Sequence, residues 1–74
     1  MSAARGPVVQ VERADRVVTL TLDRPEVLNA YDRQMRDEIF AVLQWLHEEP
    51  AVSVLVVRGN GRAFSTGGDL AEFG

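Results

Sequence analysis

The residues with the clearest chemical potential lie in one stretch near the end of the 74-residue chain, where two glycines precede an acidic residue. This stretch, Arg62-Ala63-Phe64-Ser65-Thr66-Gly67-Gly68-Asp69-Leu70, follows a strongly apolar run and is called the glycine loop below. Glycines let a ligand approach the main chain closely because they carry no Cβ. Backbone N–H groups beside a helix N-terminus can bind an anion or stabilise a developing oxyanion. The glycine loop therefore indicates a site of that kind.

Two other interpretations of the glycines compete with that one. A dinucleotide-binding turn needs a third glycine, but the stretch from Gly59 to Phe64 has Phe64 in that position, and no acidic residue follows about 20 positions later. Glycines that merely turn the chain after a strand are the other alternative. Ser65 is not a candidate nucleophile, because no G-x-S-x-G elbow surrounds it and His47 is the only histidine.

The composition argues against several classes of function. A net charge of −3 without a basic cluster disfavours nucleic acid and anionic membrane surfaces as partners. All eight basic side chains are Arg, which excludes lysine chemistry within these residues. Without Cys and with one His, the sequence predicts no disulfide and no metal site. It has neither a secretory signal nor the roughly 18 apolar residues of a membrane span, which predicts a cytoplasmic location.

A β-hairpin is predicted over residues 8–22, because two apolar runs flank Ala14-Asp15-Arg16, which suits a turn. The second run is almost wholly β-branched or Leu, so one of its faces should be drier than the other. Pro25 lacks the N–H that strand pairing needs, ends the hairpin and leads into an ordered connector at residues 27–30. The residues expected on the dry face are Val18, Leu20 and Leu22.

An amphipathic helix is predicted after the connector. Asp32 is a suitable N-cap, because its carboxylate can accept hydrogen bonds from the free N–H groups of the first turn. Pro50 cannot continue a helix, which places the helix end near Glu49. Phe40 and Trp45 lie beside the apolar stripe and should be exposed, which hints at a further packing partner. The stripe itself comprises Met35, Ile39, Val42, Leu43 and Leu46.

The third predicted strand is a continuous apolar run at residues 53–57, typical of a strand buried on both faces in a parallel sheet. The elements therefore follow as strand, strand, helix, strand, glycine loop and helix start. This order predicts an α/β fold in which a hairpin precedes a right-handed βαβ crossover. We expect one domain at most, with residues 1–7 as a disordered leader and residues 8–74 folded.

The glycine loop has a companion motif upstream, Leu22-Asp23-Arg24-Pro25-Glu26-Val27-Leu28-Asn29-Ala30. Together the two motifs resemble the crotonase superfamily, the enoyl-CoA hydratases and isomerases. The upstream motif is similar to the segment after that family's hairpin, and the glycine loop is similar to its acyl-CoA-binding and oxyanion-hole signature. The resemblance covers residues 8–74 and implies the N-terminal ββαβ portion of a ClpP/crotonase-type spiral fold, ending at the start of the next helix.

The resemblance also implies roles for particular residues. In the family, the residue after the loop's first glycine donates its backbone N–H to the thioester oxygen, and here that residue is Gly68. Glu26 stands where relatives often have a basic residue, which leaves Arg24 or Arg62 as alternatives for a phosphate contact. Asp69 is better explained as a carboxylate at a helix N-terminus than as a catalytic group. The residues implied to contact the acyl-CoA are Val27, Leu28, Ala30, Ser65, Thr66, Gly67, Gly68, Asp69 and Leu70.

The implied function is that of an enoyl-CoA hydratase/isomerase-type enzyme acting on acyl-CoA thioesters, with no cofactor beyond the coenzyme A of the substrate. The family's members imply a homo-oligomer, a trimer or dimer of trimers, for a full-length protein. Hydration or isomerisation also needs a second oxyanion donor and a general acid/base. By resemblance both follow the glycine loop, so we expect the 74-residue chain alone to be inactive. A non-catalytic acyl-CoA-binding or subunit-interaction fragment is the alternative, and hydratase, isomerase, hydrolase and dehalogenase all stay open as reaction types.

Overall fold

The computed structural model describes residues 6–70, which form a three-stranded sheet with one helix packed against it. Strands β1 (Val9–Ala14) and β2 (Val17–Leu22) are antiparallel. Strand β3 (Val54–Gly59) lies parallel to β2 on its other side, and helix α1 (Arg33–His47) connects the two. The α/β order predicted from the sequence, strand-strand-helix-strand, is confirmed.

Two sequence-based predictions fall partly outside the described residues. The leader was predicted over residues 1–7, of which residues 1–5 are not described. The helix predicted to start at Asp69 would extend into residues 71–74, which are not described either. Within residues 6–70, no helix is both long and apolar enough to cross a membrane.

The hairpin has the predicted turn and the predicted dry face. Asp15 adopts a left-handed φ of 55°, a conformation that Asp tolerates better than most residues, and Ala14 pairs with Val17 across the turn. On β2, alternate side chains point to opposite sides of the sheet, and the apolar set turns inward. The exposed fractions of Val18, Leu20 and Leu22 are 0%, 1% and 5%.

Helix α1 begins at the predicted cap and is fixed to the sheet by a side chain of its second turn. The Asp32 Oδ1 atom accepts a hydrogen bond from the Met35 N–H at 3.0 Å. Further along, Glu38 Oε1 accepts from the N–H groups of both Val8 and Val9 at 2.9 Å. These two bonds hold the start of β1 against α1. The core between helix and sheet comprises Val8, Val9, Leu20, Leu22 and Met35, with Ile39, Val42 and Leu55 packed against it.

The prediction that the third strand is buried on both faces is wrong for the described residues. Val54, Val56 and Val57 have exposed fractions of 49%, 42% and 45%, and only Leu55 packs against the core. An apolar strand is suited to burial, but the layers that cover it must come from other elements. The core that helix α1 covers is built from residues of β1, of β2 and just before β1, and Leu55 is the one β3 residue packed against it, so β3 stays largely uncovered.

The outer side of α1 carries exposed apolar side chains, as predicted for two of them. Phe40 and Trp45 have exposed fractions of 61% and 39%. Leu43 was assigned to the buried stripe but is 46% exposed, because it lies at the margin of the helix face that meets the sheet. An apolar groove of about 470 Å³ runs along this side, lined by Tyr31, Arg36, Asp37, Ile39, Phe40 and Leu43.

Candidate oxyanion site

The connector between β2 and α1 is a tight turn with two consecutive residues in the left-handed region. A one-turn 3₁₀ helix covers Pro25–Val27, and Leu28 and Asn29 follow with φ of 56° each. This conformation is unfavourable for residues other than glycine, and least so for Asn. The turn is closed by a hydrogen bond of 2.8 Å from the Asn29 N–H to the Arg24 carbonyl oxygen.

Asn29 links the connector to the loop after β3. Its side chain is fully buried, and its Oδ1 accepts from the Arg24 N–H at 2.8 Å. Its Nδ2 donates to the carbonyl oxygens of Asn60 and Ala63, both at 2.9 Å. The side chain thus satisfies one backbone group of its own connector and two of the distant loop after β3. Sequence reasoning missed this residue, although an Asn next to a Pro-containing turn is a recognisable signal for a left-handed residue that also makes hydrogen bonds.

The glycine loop pairs with the end of the connector through Tyr31. The Tyr31 N–H donates to the Gly67 carbonyl oxygen and the Asp69 N–H donates to the Tyr31 carbonyl oxygen, each at 2.9 Å. The two bonds form a short parallel bridge in which Gly68 faces Tyr31. Two of the motif segments singled out in the sequence are therefore adjacent in space.

The bridge determines the direction of the Gly68 N–H. This N–H belongs to the same trans peptide as the Gly67 carbonyl, so it points away from Tyr31, opposite to the oxygen that Tyr31 binds. Within residues 6–70 it donates to no other group. Gly68 is half-buried. The hydrogen bonds of Gly67 and Asp69 to Tyr31 thus hold the Gly68 amide in place, and its own N–H makes none of them.

Ser65 and Gly67 shape the loop just before this amide. Gly67 has a φ of 96°, which only glycine adopts readily. Its N–H donates to Ser65 Oγ at 3.0 Å, and that hydroxyl in turn donates to the Asn29 carbonyl oxygen at 2.8 Å. The Ser65 hydroxyl is therefore engaged within the protein.

Arg24 is buried between two carboxylates. It is 8% exposed, and its Nη1 lies 3.2 Å from Asp69 Oδ2 and 3.4 Å from Asp32 Oδ2. The same nitrogen donates to the Ala30 carbonyl oxygen at 2.7 Å. Burial and two carboxylates therefore occupy the charge of Arg24, which disfavours it as the phosphate contact. Arg62, the other candidate, is exposed.

The remaining predicted contact residues are divided between surface and interior. Val27 and Leu70 are 40% and 82% exposed, and Thr66 is also exposed. Leu28 and Ala30 are half-buried, and Asp69 is half-buried with its carboxylate directed at Arg24. Within the part of the chain that the structure describes, no three His, Cys, Asp or Glu side chains are grouped as a metal site would need.

Comparison with known proteins identifies the family. The enoyl-CoA hydratase/isomerase family matches residues 12–74, which include both motifs, and the chain belongs to this family. It is 34% identical over 64 residues to a probable enoyl-CoA hydratase of Mycobacterium tuberculosis, covering 86% of this chain and 25% of that protein. It is 40% identical over 63 residues to 3-hydroxyisobutyryl-CoA hydrolase 1 of Arabidopsis thaliana, covering 85% of this chain and 17% of that protein.

A solved structure extends the match to the fold. An enoyl-CoA hydratase from Mycobacterium marinum superposes with a TM-score of 0.84 at 42% identity, covering 89% of this chain and 31% of that one. The ββαβ arrangement described above is therefore the N-terminal portion of the crotonase fold. The chain spans 17% to 25% of the length of the two curated relatives.

Proposed function

We propose that these residues form part of an enoyl-CoA hydratase/isomerase-type enzyme acting on acyl-CoA thioesters, in which the Gly68 N–H is one of two oxyanion donors. The observation that carries the proposal is the orientation of this amide. Tyr31 binds both peptides around Gly68 and leaves its N–H directed away from the bridge. Family membership supplies the class of substrate.

The chemistry explains why a fixed backbone donor would matter. A thioester carbonyl gains negative charge when its α-carbon is deprotonated or its β-carbon is attacked. A donor that is already oriented stabilises this charge most where it is largest, in the transition state. Losing one such donor typically costs about 2.7–4 kcal/mol, or 10²–10³ in rate. Because the backbone donates, Gly68 needs no side chain for this role.

The proposed substrate path follows the exposed side of the connector and the glycine loop. Exposed Val27, Thr66 and Leu70 and the backbone of Gly67 and Gly68 would contact the pantetheine and adenine. Arg62, the first residue of the glycine loop, supplies an exposed cation there. No cofactor apart from the coenzyme A of the substrate belongs to the proposal. The half-buried residues that would support this surface are Leu28, Ala30, Ser65 and Asp69.

We expect the 74-residue polypeptide by itself not to hydrate crotonyl-CoA above background. Hydration needs a general acid/base, and the carboxylate nearest to Gly68 in sequence, Asp69, is held by Arg24. An absorbance assay of the enoyl thioester measures this, with an intact enoyl-CoA hydratase as the positive control. Turnover well above background would show that the acid/base lies within these residues. The reaction type is left open, since the relatives include a hydratase and a hydrolase by name.

An NMR titration tests the proposed donor. Acetyl-CoA and CoA differ in the thioester carbonyl, so the pair forms a matched set of ligands for the ¹⁵N-labelled protein. We expect acetyl-CoA to move the Gly68 amide proton downfield, because it then donates to the carbonyl oxygen, and CoA to leave it nearly unchanged. Equal shifts at Gly68 with both ligands would refute the proposed contact, even if both ligands bind.

The proposal extends to assembly and location. A homo-oligomer, a trimer or dimer of trimers, is proposed for the full-length protein, and the exposed Phe40, Leu43 and Trp45 are suited to burial in further contacts. Sedimentation velocity measures the association state. A cytoplasmic location stays a prediction from the sequence.

A further inference from the structure

Arg24 joins three segments that meet beneath Gly68. Its Nη1 contacts Asp69 of the glycine loop at 3.2 Å, Asp32 at the start of α1 at 3.4 Å, and the Ala30 carbonyl oxygen of the connector at 2.7 Å. The side chain is about nine-tenths buried, so water weakens these contacts less than it would at the surface. One guanidinium nitrogen therefore ties together the loop, the helix cap and the connector.

Asp69 is consequently held both by its main chain and by its side chain. Its N–H donates to the Tyr31 carbonyl oxygen at 2.9 Å, and its carboxylate is bound by Arg24. The peptide before it, which joins Gly68 to Asp69, has little freedom to rotate while both contacts persist. The side-chain contact to Arg24 therefore adds to the restraint that the bridge to Tyr31 places on this end of Gly68.

The Nε of Arg24 gives a second, independent observation. This buried atom has no hydrogen-bond partner among residues 6–70. Leaving a buried donor unpaired is unfavourable, and such groups are uncommon in folded proteins. The arginine keeps this orientation because its Nη1 donates to Ala30 and Asp69 and forms an ion pair with Asp32. These contacts, and not complete hydrogen bonding of its own atoms, place the side chain.

We infer that Arg24 is a positioning residue of the oxyanion site: acting through Asp69, it fixes the orientation of the Gly68 amide toward a thioester oxygen. The inference rests on the proposed function of Gly68. It assigns Asp69 to the support of the loop and not to proton transfer. It also explains why Asp32 and Asp69, two carboxylates close to one nitrogen, are tolerated together, since Arg24 offsets their mutual repulsion.

The test compares two substitutions of Asp69 with a matched control. Asp69→Ala removes the contact to Arg24 and leaves Arg24 paired with Asp32, so the fold should persist. Asp69→Asn keeps an oxygen that can accept from Nη1 and should rescue most of the effect. Asp37→Ala makes the same change at an exposed position of α1. The readout is the difference between the Gly68 amide shifts induced by acetyl-CoA and by CoA.

We expect Asp69→Ala to lose most of this thioester-dependent shift and about tenfold in the preference for acetyl-CoA over CoA, which corresponds to about 1.4 kcal/mol. Asp69→Asn should keep most of both, and Asp37→Ala should match the unchanged protein. A merely structural role would lower the melting temperature without changing the ligand preference. If Asp69→Ala showed a thioester-dependent shift as large as that of the unchanged protein, the inference would be overturned.

A ligand-free measurement separates this inference from the proposed function. The ¹⁵N heteronuclear NOE of Gly68 reports its mobility without any ligand. If the unchanged protein shows no thioester-dependent shift, the proposed donor role is refuted, and the NOE then decides the positioning role. A lower NOE at Gly68 in Asp69→Ala and in Arg24→Met supports it, and an unchanged NOE refutes it. Arg13→Met is the control, because Arg13 pairs with Glu49 at 3.8 Å at a more exposed position.

Discussion

Replacing Asn29 with Ala is expected to lower the free energy of unfolding by about 3–5 kcal/mol, the largest loss we predict for any single side chain. The substitution removes three side-chain hydrogen bonds and leaves the Arg24 N–H and two carbonyl oxygens without that partner. It also leaves Ala at a φ of 56°, which Asn tolerates better. The total free energy of unfolding of a protein is about 5–15 kcal/mol, so a 74-residue chain would lose much of its stability.

Urea denaturation followed by circular dichroism measures this loss. Asn60→Ala is the matched control, because the Asn60 side chain is exposed and makes one hydrogen bond, to Asp23 at 2.8 Å. Asn29→Gly separates the two causes, since it removes the side-chain hydrogen bonds but suits the left-handed φ. We expect the order Asn29→Ala, Asn29→Gly, Asn60→Ala from most to least destabilised. A loss in Asn29→Ala no larger than in Asn60→Ala would contradict the linking role assigned to Asn29.

Replacing Gly59 with Ala is expected to destabilise the protein by about 2–3 kcal/mol and to weaken acetyl-CoA binding as well. A Cβ at this last residue of β3 would collide with the carbonyl oxygens of Ala63 and Phe64. These are backbone atoms, which cannot move aside as a flexible side chain can. The displacement would pass to residues 63–68, because Ala63 is bound to Asn29 and belongs to the glycine loop.

Three glycines with different surroundings make this prediction specific. At Gly67 a Cβ would meet nothing within 4 Å, but its φ of 96° is unfavourable for Ala, so we expect a loss of about 1–2 kcal/mol. At Gly6 there is neither a close atom nor a left-handed φ, so Gly6→Ala should change little. Denaturation midpoints of the three variants should fall in the order Gly6, Gly67, Gly59. Equal stability of Gly59→Ala and Gly6→Ala would mean that the tight packing after β3 does not exist in solution.

Local rules were sufficient for much of the fold. The alternation in β2 predicted its buried face, Asp32 was identified as the N-cap, and the positions of Phe40 and Trp45 beside the stripe predicted their exposure. Each of these features depends on residues that are close in sequence and belong to the same helix or strand. Two motifs at the family's separation then identified the family, which the match over residues 12–74 confirms.

The features that sequence reasoning missed depend on distant residues. Arg24 and Asp69 are 45 positions apart, and Asn29 bonds residues 31 and 34 positions away. No local pattern shows where a loop returns, so Arg24 was taken as a candidate for a phosphate and Asn29 was not singled out. Leu28 in the left-handed region has no sequence signal at all, because Leu does not favour that conformation.

The prediction that β3 is buried on both faces failed for a related reason. Its apolar composition describes what the strand can pack against, but exposure depends on which elements are present to cover it. In the described residues α1 packs against the core formed with β1 and β2 and leaves Val54, Val56 and Val57 between 42% and 49% exposed. The apolar run and the element order therefore predicted the parallel pairing with β2 correctly, and the apolar run predicted the two-sided burial incorrectly.

A structure of the protein with acetyl-CoA would measure the distance between the Gly68 nitrogen and the thioester oxygen, on which the proposed role of this amide depends. We expect about 2.7–3.1 Å, the range for a donor to an oxyanion, with Tyr31 still bound to Gly67 and Asp69. A bound thioester whose oxygen lies beyond hydrogen-bonding distance of Gly68, or which is held by a different amide, would contradict it.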